Sequence, residues 1–457
     1  MTITRTLARW MCETAPLAHG RALALARNAM IDVVGCMVAG AEDDSAERTL
    51  AAVRGLGAGP ASVVGSAARL PAPHAALVNG TAAHALDFDD NYHGVFGHAT
   101  AVLAPALLAL GEERGAGGAA VLDAYIAGLE AMLVIGAGVN LGHYELGWHS
   151  TSTIGTIGAA GAAARLMGFE EDAMRRAMSL GFSHASGSKV QFGTMAKPFH
   201  AGMAAKNAVM AARYAEAGLS ATGEPLEAPW GFRDLYVGRA ASPGYDEAAK
   251  LLGPPPAIER YGLKVKIHPN CGSAHCATDG VLRLMAEHGL AAEDIEEVET
   301  VINKVSYDNL MFAEPTSELE ARFSMHYAIA LAVSKGRLTL ADFRPEAVAD
   351  PALRAWLPRV KMTRSPPGDP LPTVDNGREP AKVFLRTKDG REFSAFVQYA
   401  KGVLQNPLTE DEMWEKFDDC LGGALDAGRA AELRSALEGF ESLERVGDLM
   451  ALLRWHS

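Results

Sequence analysis

The chain has 457 residues, more than one ordinary hydrophobic core accommodates, so two or three domains are expected. Its 49% hydrophobic and 21% charged residues are the balance of a soluble globular protein, and a net charge of −13 argues against a polyanion such as DNA or RNA as partner. The five cysteines, Cys12, Cys36, Cys271, Cys276 and Cys420, are odd in number and scattered, which suits reduced thiols in a cytoplasm better than a disulfide framework.

The first eighteen residues carry Arg5 and Arg9 but no apolar core or cleavage pattern, so no targeting segment is expected there. His149–Ala164, rich in Gly, Ser and Thr, is too short to span a bilayer, and no membrane partner is expected. Apolar residues recur at helical spacing in Ala22–Val38, Ala101–Glu113, Val121–Gly136, Ile154–Met167 and Pro198–Ala217, with Gly115-Ala-Gly-Gly118 and Ala217-Gly218 punctuating the joins. Leu252-Gly-Pro-Pro-Pro-Ala257 is a stiff connector.

Beyond the connector the pattern changes. Val298–Val305 is rich in β-branched residues, and Lys382–Tyr399 reads as a hairpin about Asp389-Gly390. A helix is expected over Cys276–Gly289, and another from the capping box at Ser317-Glu-Leu-Glu320 to about Lys335. Thr409-Glu-Asp-Glu412 is a second capping box, after which helix resumes nearly to the end. The expected fold is mainly α: a large all-helical domain formed by both chain ends, 1–262 and 402–457, with a smaller α+β lid domain, 263–401, inserted between them.

One stretch concentrates chemistry. His84-Ala-Leu-Asp87-Phe-Asp89-Asp90-Asn91-Tyr92-His93, followed by His98 and Thr100, sets carboxylates, imidazoles and an amide between two apolar runs. Such groups are costly to bury unless paired, hydrated or used. Four further segments place a base or cation just before a small-residue helix: His98, His149, Lys197 with His200, and His275. Helix N-termini bind carboxylates through free N–H groups and the dipole, so converging ends would suit a small polycarboxylate. Lys197 precedes Pro198, which is expected to hold it extended and to open the helix. Lys264, Lys266 and Lys304 read as alternating strand charges. Cys271, His275 and Cys276 lack the second ligand pair of a structural zinc site, and no phosphate-binding glycine loop is present.

Taken together, Leu86-Asp-Phe-Asp-Asp90 with His98, Gly147-Trp-His149-Ser-Thr-Ser-Thr-Ile-Gly-Thr156, Gly193-Thr-Met-Ala-Lys197-Pro-Phe-His200-Ala-Gly202, Lys266-Ile-His-Pro269-Asn-Cys271 with His275, and Arg322-Phe-Ser-Met-His-Tyr327 resemble the MmgE/PrpD superfamily. That superfamily includes dehydratases, decarboxylases and epimerases of small carboxylic acids. The resemblance implies a helical domain and a lid, a homodimer, and an active site in the cleft that uses neither metal nor organic cofactor. It implies catalytic roles for Asp87, His98, His149, Lys197 and Tyr327, and substrate binding by Asn91, His93, His200, Lys266, His275 and Arg322.

All these reactions handle a carbanion next to a carboxylate, which needs an acid or base of suitable pKa and cations to stabilise an enolate-like intermediate. His98 oriented by Asp87 is the expected acid/base, with His149 as a second proton-transfer group and Tyr327 closing the cleft. Asn91 stands where dehydratase- and decarboxylase-like members often carry Thr, and His98 is displaced by one residue from decarboxylase-like spacing. A lyase of a di- or tricarboxylate is therefore expected, with an epimerase as alternative. A metal hydrolase on Asp87, Asp89, Asp90, His93 and His98, or a non-catalytic carboxylate binder, are further alternatives.

Overall fold

A computed structural model describes residues 2–366, 368, 371 and 379–455. The chain is mainly helical and divides into two compact units. The first comprises Met1–Ala85, Asp89–Leu263 and Cys420–Ser457; the second comprises Leu86–Phe88 and Lys264–Asp419.

The first unit is built from α1 (Ile3–Glu13), α2 (Gly20–Gly40), α3 (Asp44–Val53), α4 (Ala72–Ala85), α5 (Thr100–Arg114), α6 (Gly118–Ala137), the single turn α7 (Gly142–Glu145), α8 (Ser150–Leu166), α9 (Glu171–Ser183) and α10 (Ala196–Glu216). A two-residue ribbon, β1 (Ala61–Ser62) and β2 (Arg69–Leu70), precedes α4. The five long helices expected from periodicity are present, each extended by one to four residues at one or both ends. Gly115, at φ +67, ends α5 in the left-handed region that glycine enters without a Cβ penalty. The helices α4, α5, α6 and α8 are buried on nearly every face, so apolar residues surround them rather than forming one stripe.

Close packing depends on glycine where α4 meets α10. A Cβ on Gly202 would lie 2.1 Å from the Leu77 carbonyl oxygen, and one on Gly80 would lie 2.8 Å from the Gly202 Cα. Two helices, α2 and α6, have the length and hydropathy of membrane spans, but both are mostly buried within the unit, as core helices are.

The second unit carries a four-stranded sheet in the order β4-β3-β5-β6: β3 (Ile295–Ile302), β4 (Val360–Arg364), β5 (Ala381–Thr387) and β6 (Glu392–Val397). The expected hairpin is β5 and β6, with Ala381 opposite Val397 and Arg386 opposite Glu392. Alternate β5 residues, Ala381, Val383, Leu385 and Thr387, are buried. Helix His275–His288 packs on this face, where a Cβ at Gly280 would lie 2.8 Å from Val383.

Several expectations need correction. The strand stops at Ile302 because the Asn303 side chain accepts from the Ser306 N–H and caps a helix, Lys304–Asn309. The single helix expected from Ser317 to Lys335 is two, Glu318–Ala321 and Met325–Lys335, because Ser324 supplies a second cap, accepting from the Tyr327 N–H. Lys197 is not held extended: α10 begins at Ala196, and Pro198 is its third residue, still within the turn whose N–H groups have no helical partner. Lys264 and Lys266 are buried outside any strand. The second unit runs to Asp419 rather than 401, and takes in Leu86–Phe88. Lys401 Nζ lies 2.9 Å from Glu412 Oε2, and Lys416 donates to the Phe88 carbonyl at 2.8 Å, which ties the Thr409-capped helix and the distant tripeptide to this unit.

Candidate functional site

The chemistry of the first unit gathers where α4 ends. After α4 the chain turns through Asp87, whose φ of +50 is unusual for a residue with a side chain. Asp89 then lies beside His84: His84 Nδ1 is 2.9 Å from Asp89 Oδ1, and His98 Nδ1 is 2.9 Å from Asp89 Oδ2. A carboxylate only accepts, so His84 donates from Nδ1, His98 turns its Nδ1 to the second oxygen as a close ion-pair contact, and each ring keeps a lone pair on Nε2. Asn91 Nδ2 stands 3.3 Å from His98 Nε2 and donates to that lone pair. The His84 and His98 rings are 4.2 Å apart between centroids.

The start of α8 anchors this centre. His98 N–H donates to Thr151 Oγ1 at 3.0 Å, and Gly97 permits the approach, since a Cβ there would lie 2.8 Å from the Thr151 nitrogen. His149, the residue before α8, is held by its N–H to the Gly187 carbonyl at 3.1 Å. Its Nδ1 lies 3.1 Å from Nδ1 of His200, which projects from the second turn of α10. Lys197, also buried, lies in the first turn of α10 with its Nζ 5.5 Å from the Phe192 ring centroid.

Burial sets the electrostatics. Desolvation pushes His84 down to about 3, with Lys197 and His98 adding to the shift and Asp89 opposing it. Burial, then the charges of Lys197, His200, His84 and His98, hold His149 well below the ordinary histidine range. His200 is pushed down to about 4 by burial and by Lys197. Desolvation would raise Asp89, but His84 and His98 outweigh it and hold the carboxyl well below its usual range. At neutral pH this is one carboxylate bridging two imidazoles, beside a neutral histidine pair and a lysine.

The second unit holds the other expected residues. Lys266 Nζ donates to the Asp87 carbonyl at 2.6 Å and lies 3.2 Å from the Asp87 carboxylate. Arg322 donates to the carbonyls of Leu86 at 2.8 Å and Pro269 at 2.7 Å, from the break between the two short helices. With Lys416 on Phe88, three consecutive carbonyls, 86 to 88, each accept from a buried cation. His275 is fully buried with neither ring nitrogen bonded among the described residues, and burial, then Lys264, His268 and Lys266, hold it well below the ordinary range. Tyr327 is buried and its hydroxyl donates to the Asp342 carbonyl at 2.7 Å. Lys264, expected as a strand charge, pairs with Glu379 at 2.8 Å.

Within the first unit the structure brings together His98, Asn91, His149, Lys197 and His200. His93 sits half-buried in the turn bounded by the Tyr92–Gly97 bridge. Within the second unit Asp87, Lys266 and Arg322 meet around the 86–88 backbone. Asp89 stands 2.9 Å from His98, a contact that the sequence reading did not foresee. The sequence reading gave His84 no role of its own and Asp89 only one as a ligand in the metal-hydrolase alternative. The signal for them was a histidine in the last turn of an apolar helix with a carboxylate five residues on.

A buried carboxylate flanked by imidazoles, a second imidazole pair and a lysine are thus gathered on a mainly helical scaffold, groups of the kind that can exchange protons. The MmgE/PrpD N-terminal domain model matches residues 5–243 and the MmgE/PrpD C-terminal domain model matches 268–441. The chain belongs to the MmgE/PrpD family. It is similar to the human cis-aconitate decarboxylase, 29% identical over 409 residues covering 84% of this chain and 80% of that protein. It is also similar to the cis-aconitate decarboxylase-like protein oryM of Aspergillus oryzae, 24% identical over 478 residues covering 99% and 97%. The cis-aconitate decarboxylase of Aspergillus terreus is 23% identical over 454 residues, covering 94% and 91%.

Proposed function

We propose that this protein is a cytoplasmic, homodimeric lyase that uses no cofactor and decarboxylates a small unsaturated tricarboxylate of the cis-aconitate kind. The observation that carries the reading is the Asp89–His98 pair at 2.9 Å, with the His98 Nε2 nitrogen turned away from the carboxylate toward Asn91. Loss of carbon dioxide from such an acid leaves an electron pair delocalised into the neighbouring unsaturated carboxylate. One proton must then be added at carbon, so the reaction consumes one proton per turnover. His98 is the acid that delivers it, and Asp89 favours its protonated form. Lys197 stabilises the negative charge of the intermediate. The relatives named as cis-aconitate decarboxylases support the choice of this reaction over dehydration.

The ligand atoms of His84, Asp89 and His98 lie within 4.8 Å of one another and could hold a metal ion, so it is the decarboxylase relatives that support the lyase over the metal-hydrolase alternative. An epimerase is the second reading, because His98 and His149 give two proton-transfer groups anchored to the same turn of α8.

Proton NMR in deuterated water, with cis-aconitate, citrate-like acids and amino-dicarboxylates, tests the proposal. The expected result is a new pair of vinyl signals with carbon dioxide release and one deuterium incorporated. Deuterium uptake at an α-carbon without carbon dioxide would overturn it in favour of the epimerase.

A further inference from the structure

The contact between His149 and His200 has a chemical requirement of its own. Both side chains are buried, and their Nδ1 atoms are 3.1 Å apart. Two imidazoles facing through the same ring position form a hydrogen bond only if one Nδ1 carries a proton and the other a lone pair. Both rings are neutral at pH 7, so the pair holds opposite tautomers: where His149 has its proton on Nδ1, His200 has its own on Nε2, and the converse.

The surroundings hold this geometry. Gly187 fixes the His149 backbone through its carbonyl, and its φ of +118 suits glycine. A Cβ at Gly187 would stand 2.9 Å from the Ser152 Cβ and 3.3 Å from the His200 Nδ1, so the missing side chain leaves room for the pair. Ser152 Oγ donates to the His200 carbonyl at 3.4 Å. The groups facing the pair are Lys197 on α10, His84 on α4 and His98 on the following loop, with Phe192 edge-on to His149 at 5.1 Å. Lys197 and burial both oppose a lasting positive charge on either ring, yet leave a transient one near the 7% exposed His200.

We propose that His149 and His200 form a two-imidazole proton relay, in which His200 is the positioning residue that passes protons between solvent and His149. The inference rests on the proposed function in one respect: a decarboxylase needs one proton supplied per turnover. In the delivering direction His200 Nε2 takes a proton from water and its Nδ1 proton moves to His149 Nδ1. The Nε2 proton of His149 then leaves toward the carbanion centre, directly or by reloading the proximal acid. Each ring ends in the other tautomer with no net charge gained. Exchange with water at both Nε2 atoms, after product leaves, restores the first state without net uptake. Reversed, the same steps carry a proton from substrate to solvent.

Two measurements test this. Long-range nitrogen–proton NMR on protein labelled with 15N-histidine, with the rings assigned through H149N and H200N, reads the tautomers without substrate. Opposite tautomers are expected; the same tautomer in both rings overturns the relay. Kinetically, H200N keeps an amide near the Nδ1 position and preserves the hydrogen bond, but cannot pass a proton on. A fall in kcat of about 100-fold with KM within about threefold is expected. The curved dependence of kcat on deuterium fraction in the natural enzyme becomes linear. Unchanged kcat, or the same curvature, in folded H200N and H200Q overturns the relay. The product spectrum of the natural enzyme judges the decarboxylase reading separately, since either variant is compared on whichever acid turns over.

Discussion

Replacing Asp89 by Asn is the sharpest probe of the centre at the end of α4. The carboxylate lies between two imidazoles, accepting from the His84 Nδ1–H at 2.9 Å and pairing with the His98 Nδ1 at 2.9 Å. An amide oxygen accepts from one of them, while its NH2 faces the other ring, which must change tautomer or lose the bond. If His98 is that ring, its proton moves to Nε2 and the lone pair is no longer where Asn91 now donates. The charge is lost as well. A hydrogen bond to a charged group contributes about 1.5–3 kcal/mol, and opposite unit charges about 4 Å apart attract by about 4 kcal/mol at an effective dielectric of 20. A loss of about 3–4 kcal/mol in transition-state stabilisation corresponds to a fall in kcat of roughly 100- to 1000-fold. Without the negative charge the imidazolium of His98 is disfavoured, so the inflection of the pH–rate profile assigned to it moves to lower pH. The assay is vinyl-product formation by proton NMR, with far-UV circular dichroism to establish folding. Folded D89N with kcat within threefold of the natural protein and the same pH profile would refute the reasoning.

Two further predictions concern stability. Gly202→Ala places a Cβ 2.1 Å from the Leu77 carbonyl oxygen and 2.9 Å from the Thr81 nitrogen, both backbone atoms, so α4 and α10 must separate. A cost of about 2–3 kcal/mol is expected, read by calorimetry as a Tm lowered by roughly 3–5 °C; a shift below 1 °C would show that the helices yield freely. His143 is buried with Nε2 2.8 Å from Thr153 Oγ1 and is pushed down to about 4 by burial, against the Tyr236 backbone carbonyl, which favours the protonated ring. The unfolded chain binds that proton near pH 6.5 and the folded one only near 4. Its contribution is therefore intact above pH 6.5 and is lost as pH falls toward 4, by about 2 kcal/mol at pH 5. Urea midpoints at pH 7 and 5 should differ less in H143Q than in the natural protein, and equal differences would exclude this group.

Much of the helical unit was legible because burial there is nearly complete. Runs such as Ala101–Leu110 and Val121–Gly136 can be satisfied only as core helices, and Gly115 marks a stop that glycine makes cheaply. Capping signals were reliable where side chain and backbone meet locally: Thr409 and Glu412 exchange the expected bonds at 2.7 and 3.2 Å. The same local signal failed after Ser317. Ser324 offers an equally good cap seven residues later, and the break leaves Arg322 aligned with the carbonyls of Leu86 and Pro269. Nothing in spacing alone weighs those two caps against each other.

The sequence by itself determined the mainly helical class, the change of character after the proline-rich connector, and the set of imidazoles, carboxylates and lysines that carry the chemistry. It did so because periodicity and composition are properties of neighbouring residues. Pairings were decided by tertiary structure. That Asp89 lies against His98, that His84 shares the same carboxylate, and that His149 meets His200 from another helix all depend on where the chain turns and which helix ends adjoin. Lys264 and Lys266 make the same point. Their alternation looked like a strand, yet each is buried against a partner 115 and 179 residues away in sequence, and only the folded chain supplies the charge and carbonyl that make such burial tolerable.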